Sequence, residues 1–149
     1  MIRTVKVEEL ERMGALPSAQ RTLKTEVSIG VSGRHIHLSR EHLEKLFGKG
    51  YKLTPTRELS QPGQSACAER VTLRTEKGKI ENIRVLGPTR GETQIELSLT
   101  DTYQLKLDVP VPVRMSGQTS ETPGLIMVGP AGEVAIDRGV IIAQRHIHM

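Results

Sequence analysis

The stretch Arg34-His35-Ile36-His37 recurs near the end of the chain as Arg145-His146-Ile147-His148, so two His-x-His pairs hold four of the five histidines. In an extended strand, residues i and i+2 point to the same face, about 6.6 Å apart. Two surface histidines on a half-buried strand are the ordinary alternative for a single pair. Neutral imidazole is a common ligand of zinc and its neighbours, and the repetition favours that use. It predicts two metal ions, or one site built from two related halves.

The composition fits a globular protein with an aliphatic core. The chain has 149 residues, of which 36% are hydrophobic, 26% charged and only 2% aromatic, enough for a sizeable core in one ordinary domain or two small ones. The net charge of +4 suits anionic ligands. Nucleic acid is disfavoured because single strands are usually bound by aromatic stacking platforms and no dense Lys/Arg run is present. Small phosphorylated ligands fit the charge better.

Cys67 is the single cysteine, which excludes an intrachain disulfide and favours a reducing cytoplasm. It lies among small residues, so we expect a buried, inert thiol rather than a nucleophile or a metal ligand. The sequence has no signal peptide and no apolar run long enough to span a bilayer. We therefore expect no membrane partner.

Residues 1–24 look separate from the rest. Val5, Leu10 and Met13 fall at loose helical spacing, and Pro17 follows. We expect a short helix there. Packing on the domain, fraying at the terminus and docking to a larger assembly all stay open for it.

Short strands and turns dominate the chain after residue 26. Alternation predicts strands over 27–31 and 93–99, and hairpins over 71–85 and 125–136; residues 139–143 lead into the second histidine pair.

Helix-capping residues, glycines and prolines mark where these strands and helices begin and end. We expect Ser39 to cap a helix that ends at Gly48 or Gly50, and Gly87-Pro88 to end the first hairpin. Thr100 and Asp101 would cap a second short helix through Leu107. The proline-rich stretch 109–113 suits a sheet edge. This pattern predicts a mainly β protein with a β-barrel and two short helices.

A third metal ligand is expected from a polar strand face, because zinc sites that do chemistry usually have three protein ligands and one open position. Glu96 is the best candidate, since it alternates with apolar residues. Arg90, in a predicted loop before that strand, could bind phosphate bidentately. A solvated glutamate and an unpaired surface arginine are the ordinary alternatives.

Several motifs, in order from about residue 27 to the end, resemble the phosphate propanoyltransferase family, the phosphotransacylases of propanediol utilisation. They are Val31-Ser-Gly-Arg-His-Ile-His-Leu-Ser39, Leu59-Ser-Gln-Pro-Gly-Gln64, Val85-Leu-Gly-Pro88 through Arg90, Thr93-Gln-Ile-Glu96 and Arg145-His-Ile-His-Met149. The resemblance implies transfer of a short acyl group between coenzyme A and inorganic phosphate. It also implies two zinc ions in a cleft between two β-barrel domains, and a homodimer.

The resemblance also implies a domain plan. Residues 1–24 would be an N-terminal extension, and 25–37 the first strand of a split barrel domain. Residues 38–139 would form an inserted β-barrel, and 140–149 would begin the remainder of the split domain.

The resemblance further implies roles for individual residues. His35, His37 and Glu96 would hold one zinc, and Arg90 would bind phosphate and serve catalysis.

His146 and His148 would hold the second zinc with a third histidine that no residue of this sequence matches, and Ser32 would line the site. The chain stops one residue after His148, so we expect it to be incomplete, and inactive in acyl transfer as it stands.

We expect the protein in the cytoplasm. If residues 1–24 are an encapsulation helix, as in family members from bacterial microcompartments, the resemblance implies a location inside a microcompartment, with shell or cargo proteins as partners. The rival functions are an inactive fragment or assembly module of the same family, and a basic β-barrel that binds nucleic acid.

Overall fold

The computed structural model describes residues 2–6, 12 and 26–146. Contacts divide the chain into a smaller unit, residues 1–33 with 146–149, and a larger one, residues 34–145. The domain boundaries expected from the sequence stay a prediction.

The smaller unit contains a two-stranded antiparallel sheet. Strand β1 (Ile2–Lys6) pairs with strand β2 (Glu26–Gly30), and Val5 lies opposite Val27. The strand predicted over 27–31 is therefore confirmed. The predicted helix is wrong at its start, because Val5 has a cross-strand partner instead of a helical turn. The rest of that helix, apart from Arg12, lies outside the described residues.

The larger unit contains nine strands and two helices. In chain order they are β3 (His35–Ser39), α1 (Arg40–Phe47), β4 (Pro55–Glu58), β5 (Ser65–Arg74), β6 (Lys79–Arg90), β7 (Gln94–Glu96), α2 (Leu99–Leu105), β8 (Val113–Arg114), β9 (Leu125–Val128), β10 (Glu133–Ile136) and β11 (Val140–Ala143).

These strands form one mixed sheet in the order β10-β9-β5-β6-β3-β7-β11-β8, with β4 added to β5. Both predicted hairpins are present as β5–β6 and β9–β10. The sheet curls into a half-barrel, so the mainly β prediction is confirmed. The proline-rich stretch leads into β8, the last strand of the order, as predicted for an edge. Within the described residues, no helix has the length and apolarity needed to cross a membrane.

The core packs one face of the sheet against α1 and α2 and is aliphatic, as predicted. Ile36, Val85 and Ile95 are buried on that face of three neighbouring strands. Phe47 and Tyr51 pack only at its margin. Since side chains alternate across a strand, the residues between these core positions point to the opposite face.

Helix boundaries follow their caps. The Ser39 side chain accepts a hydrogen bond from the His42 amide and Gly48 ends α1 with φ 116°, as predicted. The cap predicted for α2 was wrong. Ser98 is the N-cap, and Asp101 is its partner in a reciprocal capping box. The strand predicted over 93–99 therefore stops at Glu96.

The predicted end of the first hairpin at Gly87-Pro88 is confirmed, because the last pair between β5 and β6 is Ser65 with Gly87, although β6 itself continues to Arg90 beside β3. The register between β3 and β6 shifts there: His37 pairs with Leu86, but Ser39 pairs with Arg90. Such an irregularity accommodates a proline, since no ladder hydrogen bond is required from it.

Candidate metal centre

The candidate metal centre lies where β3 is held between two strands. His35 is directly opposite Glu96 of β7, and His37 is directly opposite Gln94. Directly opposed residues share a face of the sheet. The alternation that places Ile36 in the core therefore turns all four polar side chains to the other face.

The three predicted ligands come together. Donor atoms of His35, His37 and Glu96 all lie within 4.8 Å of one another. His35 Nε2 is 3.3 Å from Glu96 Oε2, and His37 Nε2 is 3.9 Å from Oε1. The two imidazole rings are edge to face with centroids 5.0 Å apart. All three residues are buried, with at most 8% of their surface exposed.

Electrostatics favours the protonation states that bind metal. Burial, aided by the charges of Arg90 and His35 and opposed by Glu96, lowers the pKa of His37 to about 3. Its imidazole is therefore neutral near pH 7. Burial alone would raise the pKa of Glu96, but the hydrogen bond and charge of His35 and the charge of His37 hold it below its usual value. The site thus presents a carboxylate beside a neutral imidazole.

A hydrogen-bond network, buried at Gln94 and Glu96 and exposed at Ser116, fixes the carboxylate. Gln94 Nε2 donates to Glu96 Oε1 at 2.7 Å and to Ser116 Oγ at 3.0 Å, while Gln94 Oε1 accepts from the Gly117 amide at 2.6 Å. Arg90 Nη1 donates to the same Ser116 hydroxyl at 3.0 Å. Ser116 therefore connects the arginine to the metal-ligand group.

A second contact ties the two ligand strands together. Arg34 Nη1 donates to Asp101 Oδ1 at 2.7 Å. The other oxygen, Oδ2, accepts from the Ser98 amide and hydroxyl at 3.0 and 2.8 Å. Arg34 precedes His35, and Ser98 follows Glu96 by two positions. The buried Asp101 therefore links the adjoining ends of β3 and β7.

The remaining predicted site residues lie in different places. Arg90 is the last residue of β6, not in a loop as predicted, and burial lowers the pKa of its guanidinium. Ser32 and His146 are exposed in the smaller unit, and His148 lies outside the described residues. Cys67 is buried as predicted, and burial raises the pKa of its thiol; that the thiol is inert stays a prediction.

The donor set suits zinc. Two imidazoles and one carboxylate match the three-ligand sets that leave a fourth position open for chemistry. Gln94 supplies the outer hydrogen bond that such carboxylate ligands usually have. The residues therefore fit the group that the sequence predicted, although the nature of the ion stays a prediction.

Sequence reasoning missed the supporting residues. Gln94 carried a usable signal, because it precedes Glu96 by two positions and must share its face. Ser116 and Gly117 carried none, since a turn between distant elements has no periodicity. Asp101 was noticed only as a helix cap, and its contact with Arg34 depends on tertiary structure.

Comparison with known proteins connects this site to a family. The family model described as phosphate propanoyltransferase matches residues 28–149. A Thermotoga maritima phosphate propanoyltransferase is 58% identical over 123 residues, covering 83% of this chain and 58% of the relative. Proteins of the same name from Rhodopseudomonas palustris and Clostridioides difficile are 52% and 51% identical, covering 83% of this chain and 54% and 58% of those relatives. The chain thus spans a little over half the length of these relatives.

Proposed function

The chain belongs to the phosphate propanoyltransferase family, and we propose that its metal-binding face serves transfer of a short acyl group between coenzyme A and inorganic phosphate. The observation that supports this most directly is the buried group of His35, His37 and Glu96, with Arg90 near enough to influence the pKa of His37. A metal position beside a cation suits a reaction between an anionic nucleophile and a carbonyl.

The three ligands would hold a zinc ion. When bound, zinc supplies a Lewis acid for a carbonyl or phosphate oxygen, or for a departing thiolate. Gln94 keeps Oε1 of Glu96 engaged, which leaves Oε2 directed toward His35. We propose His146 and His148 as ligands of a second ion and Ser32 as a residue lining the substrates.

Arg90 would bind and orient phosphate. A guanidinium presents paired N–H donors that match phosphate oxygens. Its present partner is the neutral hydroxyl of Ser116, which an anion could replace as the stronger acceptor. Neutralising phosphate next to the carbonyl would reduce the repulsion that opposes attack.

The reaction would proceed in one transfer. A phosphate oxygen forms a bond to the thioester carbon, the carbon–sulfur bond breaks, and its electron pair leaves on sulfur as the coenzyme A thiolate. A covalent acyl-enzyme through Cys67 is disfavoured, because the thiol is buried and its pKa is raised. His37, neutral near pH 7, would bind metal and would not supply a proton.

Membership of the family is also our basis for proposing ligands, an assembly and a location. We propose coenzyme A, its acyl thioesters and phosphate as ligands, and a homodimer as the assembly. Encapsulation in a microcompartment, with shell or cargo proteins as partners, belongs to the same proposal.

The test is phosphate-dependent release of the coenzyme A thiol from propanoyl-CoA. The 149-residue chain would be assayed beside a version extended by a family-like C-terminal segment with a further histidine. The Thermotoga maritima relative would serve as the positive control, and zinc content would be measured in each sample.

We expect zinc in both versions and turnover in the extended one. Zinc without turnover in either, while the relative is active, would support the inactive-module alternative. Zinc-free protein whose oligonucleotide binding falls steeply with salt would support the nucleic-acid alternative.

A further inference from the structure

A cavity lies on the face of the sheet that is turned away from the metal centre. His37, Leu86 and Ala66 are directly opposite one another on three neighbouring strands. Since side chains alternate across a strand, the residues that follow two of them, Gly87 and Cys67, face the other side. Both line a cavity of about 290 Å³ between β5, β6, α1 and the segment that leads into β4.

The floor of this cavity is open because Gly87 has no side chain. A Cβ atom at this position would lie 3.1 Å from Cys67 Sγ, 3.4 Å from Ser65 Oγ and 3.5 Å from Leu53 Cδ1. These three side chains surround the space that a larger residue would fill. Leu43 of α1 adds further apolar surface. The interior is therefore mainly apolar, with one hydroxyl group among its lining atoms.

The rim of the cavity is cationic. Among the described residues, Arg40 and Lys52 are the only charged ones that line it, and both are exposed. Arg40 is balanced by Glu44 at 2.9 Å. No described carboxylate forms an ion pair with Lys52. An apolar interior beside one unbalanced cation is complementary to a ligand with an apolar body and a single negative charge.

We propose that this cavity binds a short-chain carboxylate, with its alkyl chain against Leu43 and Leu53 and its carboxylate on Lys52. The hydroxyl group of Ser65 or of Thr89, which also lines the cavity, can donate a second hydrogen bond to the carboxylate. Small-molecule pockets span about 300–1,000 Å³, and this one is at the lower end, which suits a chain of a few carbon atoms. The sheet separates it from the metal centre, so the site does not depend on the proposed function.

The test compares three probes that differ in one property each. Hexanoate has both the alkyl chain and the charge, 1-hexanol lacks the charge, and acetate lacks most of the chain. Calorimetry would measure their binding to the unchanged chain, to Lys52→Gln and to Lys49→Gln. Lys49 is the matched control, because it is exposed and does not line the cavity.

We expect hexanoate to bind the unchanged chain more tightly than 1-hexanol or acetate does. Lys52→Gln should lower the affinity for hexanoate by about 10-fold, because a charge-assisted hydrogen bond is lost. It should leave the affinity for 1-hexanol unchanged. Lys49→Gln should resemble the unchanged chain with all three probes.

Cys67 makes occupancy of this particular cavity measurable. It is the only cysteine of the chain, and it lines the cavity. Hexanoate should slow the alkylation of Cys67 by iodoacetamide in the unchanged chain, and should do so less in Lys52→Gln at the same concentration. Ser65→Leu would place an alkyl group inside the cavity, so it should weaken hexanoate and 1-hexanol alike. Thermal unfolding would check the fold of each variant, and Lys52→Gln, an exposed change, carries the test should Ser65→Leu misfold.

A carboxylate could instead bind at the metal centre, and His35→Ala/His37→Ala separates the two sites. We expect this double variant to bind hexanoate as the unchanged chain does. Loss of hexanoate binding there, with full binding in Lys52→Gln, would assign the carboxylate to the metal and overturn the proposal. Equal affinities for hexanoate and 1-hexanol, or alkylation of Cys67 that hexanoate does not slow, would overturn it as well.

Discussion

Gln94 donates from Nε2 to Oε1 of Glu96 at 2.7 Å, and both side chains are buried. Because Gln94 also accepts from the Gly117 amide, its amide group has a fixed orientation. The carboxylate that faces His35 is therefore positioned before any ion binds.

Replacing Gln94 by leucine should weaken metal binding. The change removes the hydrogen bond to Glu96 and leaves the Gly117 amide without its acceptor. We expect zinc affinity to fall by about 10- to 100-fold, as for other outer-sphere partners of metal ligands. Competition with a chelator would measure it. Gln118→Leu is the matched control, since Gln118 is exposed and accepts only from the Met115 amide. Equal losses in both variants would contradict the positioning role.

Replacing His35 and His37 together by alanine should remove the metal without unfolding the sheet. Both side chains lie on the face opposite the core, and Ile36 between them keeps its packing. We expect zinc, measured by elemental analysis, to fall to background while cooperative unfolding is retained. His42→Ala is the control, because this ring on α1 contacts Thr93 and is not among the three clustered donors. Unchanged zinc in the double variant would show that the assignment is wrong.

Arg90→Lys should affect phosphate more than the acyl donor. Lysine keeps the charge but loses the paired donors, so the KM for phosphate should rise by about 10-fold or more, in line with charge-assisted hydrogen bonds. The KM for acyl-CoA should change little. The measurement uses an active form of the protein, with Arg138→Lys as the control, since Arg138 is an exposed residue that pairs with Glu92. Equal rises in both KM values would reject the role.

Glu69 should make stability depend on acid pH. Burial alone would raise its pKa, but hydrogen bonds from the Thr54 amide and the Tyr51 hydroxyl hold it below its usual value. A carboxyl group whose pKa is lower in the folded than in the unfolded state stabilises the protein at pH values above its unfolded-state pKa of 4.5. This stabilisation is lost as the pH falls through the folded-state pKa. Glu69→Gln should therefore be less stable than the unchanged chain at pH 7, by about 1–3 kcal/mol.

That difference should narrow below pH 4.5. Denaturant unfolding across pH 7 to 3 would measure it. Tyr51→Phe, which removes one of the hydrogen-bond donors to Glu69, should show the same trend with a smaller amplitude. A difference that stays constant with pH would exclude the ionised carboxylate as its source.

The sequence predicted the three metal-ligand residues better than it predicted the strand pairing and the hydrogen bonds that hold them in place. The spacing of His35 and His37 fixes a shared face in any strand, and alternation directs Glu96 to a polar side. Whether β3 would lie beside β7, in the register that opposes His35 to Glu96, depends on long-range pairing that no local pattern encodes. The same limit explains the α2 cap, where Ser98 competed successfully with Thr100 because Asp101 reciprocates its hydrogen bond.

Asp101 offers the sharpest test of how the two ligand strands are held. Its buried carboxylate accepts from Arg34 on one oxygen and from Ser98 on the other. Asp101→Ala removes the capping box and leaves the Ser98 amide unpaired, so stability should fall by about 1–3 kcal/mol. Zinc affinity should fall as well, because the adjoining ends of β3 and β7 lose their link. Asp101→Asn should be intermediate in both, since its single carbonyl oxygen can accept from only one of the two partners.

Asp108→Ala is the control for charge alone. Asp108 forms an exposed pair with Lys77, and such pairs contribute only about 0–1 kcal/mol. We expect this variant to keep both its stability and its zinc affinity. Denaturant unfolding and chelator competition would be run on all three variants. If Asp101→Ala lost stability but kept full zinc affinity, the carboxylate would be a helix cap alone and the link between the ligand strands would have no role in holding the metal.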